Sequence, residues 1–143
     1  MQIALDEAAR AADADEVPVG AVVVDRVGQI LARAHNLTRH LADPTAHAEI
    51  LALRQAAKHI GNARLSDCDL YVTLEPCAMC AGAIMHARIR RLYYGAPDEK
   101  AGAVSHNARL FNQPTSLHRP DVYEGMAGQA SATLLRDFFA KKR

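Results

Sequence analysis

Leu70-Tyr71-Val72-Thr73-Leu74, continued by Glu75-Pro76-Cys77-Ala78-Met79-Cys80-Ala81-Gly82-Ala83-Ile84, is the stretch that decides the fold. Its first five residues are apolar, β-branched or aromatic, the composition of a short strand. Pro76 suits the first position of a helix, because proline lacks an amide hydrogen that the helix start leaves unbonded anyway. The pattern predicts a helix over Cys77–His86, and Arg90 to Gly95 follows as a further core strand. A strand, a helix and a strand in succession call for a sheet with helices packed on it.

Upstream, Ala46 to His59 carries Ile50, Leu51, Leu53 and Ala57 on one helical face, with Thr45 as the expected cap and Gly61-Asn62 as the stop. The polar run Asn36 to Thr45, with Asp43-Pro44, reads as a loop. Val17-Pro18-Val19-Gly20-Ala21-Val22-Val23-Val24 is a continuous apolar run and predicts a strand buried on both faces. A turn over Asp25–Gly28 returns the chain as Gln29 to Ala34. Met1 to Asp15 is alanine-rich with near-helical apolar spacing and predicts a helix without an N-cap. Downstream, 97–120 reads as loop with one short helical turn, Asp121 to Glu124 as a short strand, and Ser131 to Lys142 as a closing helix with Leu134, Leu135, Phe138 and Phe139 turned inward. The order gives a mixed sheet with helices on both faces, in a single domain over 1–143.

Composition narrows the function classes. The chain has 143 residues, of which 50% are hydrophobic and 23% charged, with a net charge of +1. This excludes a disordered chain. No run of about 18 apolar residues is present to span a membrane. Asp6, Glu7 and Arg10 interrupt any secretory h-region, and three cysteines without such a signal point to a reducing cytoplasm rather than a disulfide framework. A near-neutral balance leaves room for a local basic patch on a nucleic-acid binder.

His47-Ala48-Glu49 and Cys77-Ala78-Met79-Cys80 each stand at a predicted helix start. Side chains in a first turn lean toward the N-terminal end and can converge ahead of the helix. His47, Cys77 and Cys80 are an imidazole and two thiols, the donors zinc prefers. Helix N-termini also favour thiolate over thiol. The third cysteine, Cys68, lies at the far end of a predicted strand, so the set has three strong ligands. Three protein ligands with a fourth position left to water is the pattern of catalytic zinc, which lowers the pKa of that water toward about 7. Glu49 is then placed to shuttle its proton; without the metal set it would read only as a carboxylate complementing the helix dipole.

His-x-Glu followed by Pro-Cys-x-x-Cys is the signature of zinc nucleobase deaminases. Together with Asp43-Pro44-Thr45-Ala46-His47-Ala48-Glu49, Glu16-Val17-Pro18-Val19-Gly20-Ala21-Val22 and Tyr71 to Ile84, it resembles the bacterial tRNA-specific adenosine deaminases over most of the chain. The resemblance implies a three-layer α/β/α sandwich with a mixed central sheet, cytidine-deaminase-like, working as a homodimer. It implies one Zn2+ per subunit held by His47, Cys77 and Cys80, Glu49 as the proton carrier, and Asn36 as a hydrogen-bonding partner of the flipped-out nucleoside. The implied reaction is hydrolytic conversion of adenosine to inosine at the wobble position of an arginine tRNA. Free nucleobase or nucleoside deamination (guanine, cytosine or cytidine) shares every zinc residue and stays open, as does a zinc-bearing RNA-binding scaffold. Arg136, Lys141, Lys142 and Arg143 are candidate contacts to the tRNA anticodon stem-loop; the same helix also reads as an amphipathic closing element with a charged tail. Met79 and Met85 read as core filler.

Overall fold

The computed structural model describes all 143 residues. Five strands form one sheet in the order β2-β1-β3-β4-β5: β1 Gly20–Val24, β2 Ile30–His35, β3 Asp69–Leu74, β4 Arg91–Ala96 and β5 Asp121–Tyr123. β2, β1 and β3 run antiparallel, whereas β3, β4 and β5 run parallel. The sheet is mixed, as the sequence predicts.

α2 (Ala48–Ile60) and α3 (Ala78–Ala87) share one core with the sheet, in which Ala52, Leu53 and Ile84 meet Val23, Leu70, Val72 and Leu92. α1 (Gln2–Asp13) packs on β1 and β2, and α4 (Gly128–Lys141) on β4 and β3, on the other face. This makes three layers. α1 approaches closely because Gly20 has no side chain: a Cβ there would stand 2.0 Å from the Ala4 carbonyl oxygen. Across the α1/α4 face runs a row of stacked rings, Tyr71 on Tyr93 at 4.4 Å and Tyr93 on Tyr123 at 4.8 Å between centroids.

Four local readings change. β1 begins at Gly20 rather than Val17, because Pro18 has no N–H to give a ladder and Val19 N–H turns back to the Val17 carbonyl. α2 is capped by His47 rather than Thr45; the Thr45 hydroxyl and amide are taken by Asp43. Phe139 is not turned inward. It is 47% exposed, Leu134, Leu135 and Phe138 are only half-buried, and Ser131 is the one buried residue of α4. Met79 is also exposed, at the outer face of α3. The loop over 97–120 contains a short 3-10 turn, Leu110–Asn112.

Candidate active site

The N-termini of α2 and α3 meet beside the end of β3. Their caps are His47 and Cys77, both extended in backbone, and neither side chain caps its own helix. Each is therefore free to point ahead of the helix. The Ala48 amide that His47 leaves unbonded is taken instead by Asn36 Oδ1 at 2.8 Å. Asn36 thus fixes the start of α2, and its Nδ2 group, which bonds nothing within the chain, is left for the pocket it lines. Cys80 lies one turn into α3, wholly buried.

His47 Nδ1 lies 3.7 Å from Cys77 Sγ and 3.5 Å from Cys80 Sγ. All three donors lie within 4.8 Å of one another. A tetrahedron with metal–sulfur bonds of ~2.3 Å and a metal–nitrogen bond of ~2.1 Å has an N···S edge of about 3.6 Å. The donors already stand at the spacing that zinc needs, and their softness argues against calcium or magnesium. Cys68 sits in the core beyond the opposite end of β3 and outside this group.

Crowding shifts the protons of the donors. A bond from the Cys80 thiol, together with His47, draws Cys77 down to about 4 against the opposing effect of burial. The same bond, with burial, holds Cys80 far up. The Cys77 partner also raises His47. Glu49, 3% exposed, is pushed up to about 7, chiefly by burial. Its Oε2 is buried without any partner in the chain. An orphaned carboxylate oxygen beside three metal donors is placed for a polar group that the protein does not supply.

Asn36, His47, Glu49 and Cys77 line a pocket of about 250 Å³, with walls from Thr38 on one side and Asp98 and Ala101 on the other. It opens onto a groove of about 1000 Å³ that shares Val17, Leu74, Asp98 and Ala101 with it. Arg136, Lys142 and Arg143 line this groove beside Lys100 and Phe139. Lys141 does not line it, and Lys142 is paired with Asp15.

Sequence reasoning missed the groups that set the walls. Glu16, fully buried, accepts the amides of Arg39 and His40 and so holds the loop that carries Thr38. Glu75, also buried, accepts amides from the opposite loop. Each acid stands beside a strand in an apolar context, and a carboxylate there must be bonded or it would not stay charged; that is the signal that could have found them. His118, a further histidine within the 97–120 loop, bonds the Ile89 carbonyl at 2.6 Å and so serves the fold.

The chain matches the MafB19-like deaminase family profile over residues 1–143. It is 57% identical to the tRNA-specific adenosine deaminase of Agrobacterium fabrum, over all of this chain and 93% of that protein. A solved structure of a tRNA:A34 deaminase, studied for A-to-I editing at the wobble position of transfer RNA, is 57% identical with a TM-score of 0.92, covering 94% of this chain and 97% of the other. The guanine deaminase of Nitrosomonas europaea is 26% identical with a TM-score of 0.80, over 97% of this chain and 82% of its own.

Proposed function

The chain belongs to the MafB19-like deaminase family, and on that premise we propose that it is a tRNA adenosine deaminase, converting adenosine to inosine at the wobble position. The observation that carries this reading is the orphaned Glu49 carboxylate beside three soft donors, in a pocket that opens onto a cation-lined groove. Full-length identity of 57% to a tRNA-specific adenosine deaminase supports the substrate.

His47, Cys77 and Cys80 would hold one zinc per subunit. When bound, zinc lowers the pKa of a water and so makes a nucleophile at neutral pH. Glu49 is the proton carrier. It takes one proton as the water oxygen bonds to C6 of adenine and delivers it to N1. It then receives the second proton and passes it to the departing amine, so that water and adenosine become inosine and ammonia. Burial suits this work, because a carboxyl raised toward neutral pH both accepts and returns a proton readily. Asn36, anchored through its oxygen, offers its Nδ2 hydrogens to the nucleoside.

The groove fits the nucleotides flanking a splayed-out base. Arg136, Lys142 and Arg143 would meet phosphates and Phe139 would stack on a base. Lys141, outside the groove, would be an outer contact. A loop nucleotide is already unpaired, so little is spent in extracting it. A homodimer is the proposed working unit. α3 is apolar apart from His86, yet Ala78 and Met79 lie exposed, as on a helix that packs against a second copy. No helix is long and apolar enough to cross a membrane, and action on tRNA accords with a cytoplasmic enzyme.

The test is deamination of an anticodon stem-loop against free adenosine, guanine, cytosine and cytidine, with zinc measured on the same sample. Inosine formed in the stem-loop, with about one zinc per subunit, is the expected outcome. Turnover of free bases or nucleosides alone would establish the other deaminase chemistry, and zinc without any deamination would point to a scaffold.

A further inference from the structure

The structure assigns Glu75 a positioning role: its carboxylate fixes the pocket wall 98–106 against the helix start that carries Cys77. Glu75 lies at the junction of β3 and α3 and is 2% exposed. Its Oε2 accepts the Asp98 amide at 2.9 Å and faces His106 Nδ1 at 2.8 Å. Its Oε1 accepts the amides of Ser105 at 2.9 Å, His106 at 3.0 Å and Val104 at 3.3 Å. One side chain thus pins both ends of the loop, Asp98 at its start and Val104 to His106 at its close.

Backbone contacts complete the mount. Ala103 N–H bonds the Pro76 carbonyl at 2.9 Å, and Gly102 bridges Cys77. The loop can wrap so tightly only because residue 102 has no side chain: a Cβ there would stand 2.4 Å from Glu75 Cδ and 2.4 Å from the Asp98 carbonyl oxygen. Asp98 and Ala101 face the same pocket as His47 and Glu49.

Glu75 also borders that pocket, yet it is not equipped to act on substrate. An ionised carboxylate offers about four lone-pair sites, and the loop already takes them. Four of its five partners are backbone N–H groups and the fifth is a ring nitrogen, so it works as an acceptor throughout. It is a fixed anion serving as a peg for the loop.

The consequence for the reaction rests on the deaminase reading; the peg itself does not. In Glu75→Gln the amide group must face N–H donors on one side. We expect the Asp98, Ser105 and His106 amides to exchange with solvent at least about tenfold faster, and KM for the stem-loop to rise about tenfold with kcat within about twofold. Zinc content should not change. His106→Ala removes one bond of the set from a half-exposed side chain and should move exchange and KM the same way, by about threefold. Unchanged exchange and KM in folded, zinc-loaded Glu75→Gln would overturn the assignment. So would a fall in kcat at constant KM, which would make Glu75 a participant in proton transfer. If Glu75→Gln does not fold, His106→Ala decides by the same two readouts. A wild-type protein inactive on the stem-loop would sink the deaminase reading, while the exchange arm would still judge the peg.

Discussion

His47 and Cys77 reach the pocket from the first residues of two helices anchored in the main core, whereas Thr38 and Asp98 reach it from two loops, and Phe139 lines the adjoining groove from a helix that buries one residue. The floor is held by packing. Its donors inherit the precision of α2 and α3, which share apolar neighbours with every central strand. The rim is held by buried anions, Glu16 on one side and Glu75 on the other, that collect loop amides. Chemistry common to many substrates can sit on a floor of this kind, and the choice among substrates falls to a rim that can vary without unsettling the core.

The sharpest way to separate the two is Glu49→Ala. It should leave zinc and fold intact and cut the single-turnover rate by several orders of magnitude, since each assisted proton transfer is worth on the order of 10²–10⁴. Retained activity would remove Glu49 from the chemistry. Cys80→Ala attacks the floor itself and should lose most of the metal and lower the melting temperature, because metal binding and folding are coupled. Full zinc occupancy by atomic absorption would contradict the ligand set.

Asn36→Ala falls between floor and rim. It strips the bond to the Ala48 amide and should cost about 1 kcal/mol of stability, as other cap losses do. It should also lower kcat/KM by about tenfold or more if Nδ2 meets the nucleoside. A stability loss with unchanged kcat/KM would leave Asn36 a cap alone.

Neutralising Arg136, Lys142 and Arg143 together tests the rim only. KM should rise and the dependence of binding on salt should flatten by about 0.7 in logarithmic slope per cation lost on single-stranded RNA, with kcat unchanged. An unaltered salt slope would free the groove from this role.

Acid should loosen the rim gently. In Glu16 and Glu75 burial alone would raise the carboxyl, but hydrogen bonds prevail and hold both below the ordinary 4.5. The unfolded chain then takes up protons first as the pH falls, so the stability they contribute is complete above 4.5 and drains away as the pH drops through their lowered values. Denaturant midpoints measured downward from pH 4.5 should fall, and less steeply in Glu75→Gln.

The floor was legible in the sequence because its signals are local. Strand composition, a proline at a helix start and donors at fixed spacing each act within a few residues, and Leu70 to Cys80 holds all three. The rim was not, because its partners are remote: Glu75 meets Asp98 and His106, and Glu16 meets Arg39 and His40. Spacing carries no trace of such pairings. The cap of α2 was misplaced for the same reason, since its amide is served by Asn36, twelve positions upstream. Periodicity found α4, though it starts at Gly128 rather than Ser131, but could not tell an inward face from one that borders a groove, which is why it puts Phe139 inside.

The row Tyr71, Tyr93 and Tyr123 has an optical consequence. The chain has four tyrosines and no tryptophan, so its near-ultraviolet absorption belongs almost wholly to phenol rings. Three of those rings are stacked, at 4.4 and 4.8 Å between centroids, close enough for their excited states to couple and give a paired band in circular dichroism. Tyr123 belongs to the short outermost strand. The protein therefore carries its own label-free gauge of whether that edge is seated, readable in the cuvette while the pocket is loaded or emptied.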